Sequence, residues 1–101
     1  MRMIVQITIP NDTFNEAVRD GTAGAKLGRI LEAQKPEACY FTEIGGERTA
    51  IMVTDLAGAT DIPALAEPWF LTFGALVEIH PAMTADDLAA AGLDTLAAKW
   101  G

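Results

Sequence analysis

Residues 67–83 read Glu-Pro-Trp-Phe-Leu-Thr-Phe-Gly-Ala-Leu-Val-Glu-Ile-His-Pro-Ala-Met. They hold three of the seven aromatic residues, the only histidine and two of the five prolines. Val77 and Ile79 alternate with Leu76, Glu78 and His80, the period-two pattern of a strand with two unlike faces. The pattern predicts a strand over 75–80, entered through a glycine hinge at Gly74 and stopped by Pro81, which has no N–H to give to a ladder. Trp69 to Phe73 reads as a further helical turn or an irregular lid.

Upstream of this stretch, Asp61 is placed to cap a short helix with Pro63 in its first turn, where a missing N–H costs little. Ala64, Leu65 and Ala66 continue it until Pro68 bends or ends it. Residues 55–60 read as a loop. Before them, residues 38–44 and 47–54 are β-rich runs joined by Gly45-Gly46, a strong hairpin signal because primed turns need positive φ. Cys39, Phe41 and Glu43 then share one face, and Tyr40 and Thr42 the other. Ile51 and Val53 oppose Ala50, Met52 and Thr54.

The chain opens with another alternating run. Met3, Val5, Ile7 and Ile9 fall on one side of a first strand, with Ile4, Gln6 and Thr8 on the other, and Pro10 ends it. Asn11, Asp12 and Thr13 offer helix caps, and Thr13 with Glu16 has capping-box spacing. Phe14, Ala17, Val18, Gly21, Gly24, Ala25, Gly28 and Leu31 predict one helical stripe, terminated at Pro36. Its three glycines suit close packing on a sheet or a ligand's approach. Downstream of Met83, Thr84 caps a last helix with Asp86 and Asp87 at its positive end. Gly92 stops it or is absorbed, and Leu96 and Trp100 need a surface to cover on this subunit or on a partner.

The order is therefore β-α-β-β-α-β plus a C-terminal helical tail, 84–101. This is a single α+β domain with the ferredoxin-like split βαβ arrangement and an antiparallel sheet. At 101 residues there is room for one core. Half the residues are hydrophobic, which suggests apolar surface hidden between subunits. Seven Lys and Arg against 14 Asp and Glu give a net charge of −7. Nucleic acid and anionic membranes are thereby disfavoured as partners. One cysteine permits no internal disulfide, and no apolar run is long enough to span a bilayer. The expectation is a cytoplasmic protein.

On Thr8-Ile9-Pro10, Ala50-Ile51-Met52-Val53-Thr54-Asp55, Val77-Glu78-Ile79-His80-Pro81 and the segment from Pro68 to Phe73, residues 1–81 resemble the dimeric α/β-barrel superfamily of ferredoxin-like proteins. Within it they look most like the muconolactone-isomerase-like group. The resemblance implies two sheets paired face to face in a homodimer, with a pocket between helices and sheet or within the barrel. It also implies activities that range from isomerase, cyclase and cofactor-free monooxygenase to none. The isomerases carry charged residues on the even face of the first strand, where this chain has Ile4 and Gln6.

His80 and Glu78, two residues apart on one strand face, are the candidate catalytic pair. Histidine is a natural base near neutral pH, and a carboxylate can orient it. The bland alternative is a strand-end histidine and a solvated or interface glutamate. Gln6, Tyr40 and Thr42, with Thr54, are candidate hydrogen-bonding groups for a carbonyl or phenol, or else a polar interface. Trp69 is the candidate pocket wall, and Phe70 and Phe73 read as core anchors. Cys39 lies in an apolar strand with no basic neighbour and reads as an inert thiol. One histidine and one cysteine make no structural zinc set, and no phosphate-binding glycine loop is present, so no cofactor or metal is expected. The reading is a small dimeric protein that binds or transforms a small apolar or aromatic metabolite by cofactor-free proton transfer. The alternative is a non-catalytic dimeric binding or accessory module; whether the chain is an enzyme stays open.

Overall fold

Four strands and five helices form in the computed structural model, which describes every residue from Met1 to Gly101. The chain runs β1 (Arg2–Ile9), α1 (Asn11–Asp20), α2 (Ala23–Gln34), β2 (Ala38–Ile44), β3 (Glu47–Asp55), a 3-10 turn (Ala59–Asp61), α3 (Ile62–Phe73), β4 (Leu76–Pro81), α4 (Ala85–Ala90) and α5 (Leu93–Trp100). The sheet order is β2-β3-β1-β4 and every neighbouring pair is antiparallel. That topology is compatible with the ferredoxin-like arrangement.

Alternation in β1 does what the pattern requires. Met3, Val5, Ile7 and Ile9 are buried, and opposite them stand Thr54, Met52 and Ala50 of β3, in register with the first three. The core closes on this face with Ala17, Ile30, Leu65, Trp69 and Phe73 from the helices. Phe73 stands at the centre of an aromatic row, its ring centroid 5.6 Å from Phe14 and 6.2 Å from Trp69. The other face of the sheet carries no helix.

The single long helix expected after Phe14 is two helices. Gly21 stops α1 in the left-handed conformation, φ +80°, and the Asp20 carboxylate receives the backbone N–H of Thr22 at 2.9 Å. Gly21 is therefore a helix stop, a role that only glycine fills without strain. Gly24 and Gly28 are exposed, and a methyl group at either would meet nothing within 4 Å, so they serve no close approach. Nor do Thr13 and Glu16 cap α1. The helix begins two residues earlier, at Asn11, whose amide donates to the Gly46 carbonyl at 2.9 Å and accepts the Arg48 N–H at 3.2 Å. The helix start is thus tied to the β2–β3 turn.

Pro68 does not end α3, which continues to Phe73. Proline deprives the Ala64 carbonyl of its helical donor. The Gln34 side chain at the end of α2 makes good the loss. Its Nε2 donates to the Leu65 carbonyl at 2.8 Å and to the Ala64 carbonyl at 3.3 Å, while its Oε1 accepts the Trp69 indole N–H at 3.1 Å. Gly74, φ +60°, then turns the chain into β4.

The last eighteen residues leave the body. From Thr84 to Gly101 every residue is exposed except half-buried Gly92, and neither α4 nor α5 packs on the sheet or on α1–α3. The longest dimension is 59 Å and the radius of gyration 17.0 Å; a fully compact domain of this length has about 13 Å. Leu96 and Trp100 cover nothing on their own subunit.

Candidate functional site

The bare face of the sheet is a grid set by strand register. One cross-strand row runs Ala38, Val53, Ile4, His80; the next Tyr40, Ile51, Gln6, Glu78; the third Thr42, Thr49, Thr8, Leu76. The inner strands carry Ile4, Ile51 and Val53 with Gln6 among them, and the edge strands carry Tyr40 and Thr42 on one side and Glu78 and His80 on the other. Tyr40 is 71 % exposed and Leu76 68 %, far more than an isolated protein leaves on one face of a sheet without cause.

His80, Glu78, Gln6, Tyr40 and Thr42 therefore share one face. They do not converge on a point. Glu78 and His80 lie on the edge strand β4, Tyr40 and Thr42 on the opposite edge strand β2. Three strand spacings at about 4.8 Å separate the edges by about 14 Å. Gln6, in the second row beside Glu78, is half-buried; His80, Glu78 and Thr42 are exposed. No cluster of histidine, cysteine and carboxylates is arranged to hold a metal ion.

Two candidates lie elsewhere. Trp69 is wholly buried in the core on the helix side, with its indole N–H held by Gln34. It walls no cavity shared with His80, because the sheet stands between them. Thr54 pairs with Met3 and is buried on the helix face, so it does not belong with Gln6 and Tyr40. Side-chain alternation along β3 puts Thr54 on the helix face, and burial decides for Trp69 between core and wall. Cys39 packs against the core, and burial pushes its thiol pKa up, away from the reactive thiolate.

A second site was not legible in the sequence. Between α1, α2 and the hairpin end of the sheet is a cavity of about 320 Å³ lined by the apolar Ile9, Phe14, Leu27 and Phe41 and the polar Thr42, Arg48 and Thr49. Arg48 is half-buried, its guanidinium carbon 4.7 Å from the Phe14 ring centroid. Nη1 donates to Asn15 Oδ1 at 2.7 Å and to the Asn11 carbonyl at 3.4 Å. The available signal was Asn11 and Asn15 one helical turn apart, with an arginine beside the hairpin turn; nothing in the spacing joined them.

A larger groove, about 790 Å³, runs between α2 and α3, with Lys26 and Arg29 on one bank and Glu67 and Leu71 on the other. No helix is long and apolar enough to cross a membrane. No protein-family model matches the chain, and no curated protein matches its sequence.

Proposed function

We propose that the chain acts as a homodimer, two sheets face to face in the manner of a dimeric α/β barrel, that binds or transforms a small apolar or aromatic metabolite without a cofactor. The observation that carries this reading is the bare sheet face, with Ile4, Ile51, Val53 and Gln6 on its inner strands and Tyr40, Thr42, Glu78 and His80 on its edges. An exposed sheet face of this kind is stabilised by burial, at roughly 25 cal/mol per Å² of apolar area. The projecting arm adds support, since Leu88, Leu93, Leu96 and Trp100 expose a second apolar surface that a partner copy would cover.

In the enzyme form of this reading His80 moves the proton and Glu78 orients it, as in muconolactone-isomerase-like and related isomerase, cyclase or monooxygenase chemistry. Gln6, Tyr40 and Thr42 supply hydrogen bonds to the ligand. Because Tyr40 and Glu78 stand at opposite edges of one sheet, a small ligand would meet both only with one of them drawn from the partner copy. The same separation favours the alternative reading, a non-catalytic dimeric binding or accessory module whose polar margin belongs to the interface.

A thermal-shift screen of aromatic acids, quinones and lactones on wild type and His80→Ala separates the two. A compound that raises Tm in wild type and much less in His80→Ala supports the site. Equal shifts in both proteins remove His80 from binding, and no shift with any compound favours the non-catalytic module.

A further inference from the structure

We infer that the cavity anchored by Arg48 binds a small aromatic monocarboxylate, at a site that shares only Thr42 with the candidate groups of the open sheet face and is argued independently of the proposal above. Its volume, about 320 Å³, lies at the lower end of small-molecule sites and suits a single ring with a short substituent. The walls are Ile9, Phe14, Leu27 and Phe41, so an apolar body is favoured and a bare inorganic anion is not.

The charge requirement comes from Arg48. Arg48 is half-buried, and no carboxylate oxygen lies within 4.0 Å of it, so its charge is not neutralised by the protein. Glu43, its cross-strand neighbour, is engaged instead by the hairpin, its Oε2 accepting the Gly46 N–H at 2.9 Å. Nη1 is committed to Asn15 and Asn11, whereas Nε and Nη2 donate to no protein group. These two N–H groups form one edge of the guanidinium, the fork that receives both oxygens of a carboxylate. The fork is held in place before any ligand arrives, by the two asparagines on one side and the Phe14 ring below. Pre-ordering of this kind lowers the entropic cost of binding. The chain's net negative charge slows the approach of an anion, but screening confines that effect to about 8–10 Å at physiological salt.

The test is a titration of the full-length protein with benzoate, benzamide and acetate, followed through the Arg48 Nε–Hε resonance and the ring signals of Phe14 and Phe41. Benzoate is expected to shift all three saturably. Benzamide keeps the ring without the charge and acetate the charge without the ring; each is expected to bind about tenfold more weakly or worse. Arg48→Gln should lose affinity by about tenfold or more. Because Arg48 also ties α1 to the hairpin, Leu27→Trp serves as a second variant, filling the cavity while leaving the guanidinium in place; it should abolish the shifts. The inference is overturned by any of three results in wild type: no saturable benzoate shift at Arg48, equal affinity for benzoate and benzamide, or shifts confined to His80 and Tyr40. The last result would leave the sheet-face proposal standing, and shifts confined to Arg48, Phe14 and Phe41 would leave this one standing without it.

Discussion

At the scale of single residues, Gln34 has the largest structural task for the least conspicuous side chain. It gives hydrogen bonds to two carbonyls, one of them freed by Pro68, and receives one from a buried indole. Gln34→Ala leaves the buried Trp69 indole N–H without its acceptor and the Ala64 carbonyl, freed by Pro68, without its side-chain donor; a cost of about 2 kcal/mol is expected, read as a lower urea midpoint by tryptophan fluorescence. Gln34→Glu should be no better at neutral pH, because a carboxylate accepts from Trp69 but repels the carbonyls. Cys39 gives a second check. With its thiol pKa raised by burial, modification by a thiol reagent at pH 8 should be slow in the native protein and fast after unfolding. The sequence showed Cys39 as inert because its neighbours are apolar. It could not show Gln34, whose partners lie thirty and more residues away.

Elements were legible where period or local chemistry decides them. The four strands, their faces and the Gly45-Gly46 hairpin follow from alternation, and the Thr84 cap is present as a reciprocal box: the Asp87 N–H donates to Thr84 Oγ1 at 3.1 Å, and the Thr84 N–H to Asp87 Oδ2 at 2.9 Å. The α1–α2 break was missed because Gly21 was weighed as a packing glycine on a stripe, although Asp20-Gly21 is also a turn pair. For residues 69–73 the sequence leaves a further helical turn and an irregular lid both open; the helix continues, with hydrogen bonds from Gln34 of α2 offsetting the local effect of proline. The capping box makes a pH prediction. The backbone N–H of Thr84, and then its hydroxyl, hold the Asp87 carboxyl below the usual carboxylate range. A depressed folded pKa stabilises the helix start above the unfolded pKa, and that contribution is lost as pH falls through the folded value. Protection of the Thr84 amide against hydrogen exchange should therefore persist into acid where an ordinary aspartate has already protonated. Asp87→Ala should remove that protection at neutral pH, Thr84→Ala should instead expose the Asp87 amide, and neither should change the amides of β1 and β3.

For the whole molecule, the two apolar surfaces left bare are the sheet face and the C-terminal arm. The sequence indicated both, through the even face of β1 and through Leu96 and Trp100, but a single chain's pattern does not say what lies against them. An arm that packs on nothing of its own body adds nothing to that body's stability. A chain ending at Met83 should thus keep the full-length Tm at dilutions where both are monomeric, and association at higher concentration should be weaker without the arm. Face-to-face pairing of the sheets is tested most directly by sedimentation equilibrium of wild type and Ile51→Asp at tens of micromolar. Ile51 lies in the middle rows of the bare face, beside Tyr40 and Gln6, where a buried, unpaired carboxylate would be costly in an interface and harmless in water. The expected result is a wild-type mass of twice the 10.7 kDa chain, with Ile51→Asp folded and monomeric. A monomeric wild type, or an Ile51→Asp protein that still dimerises as tightly, would contradict it.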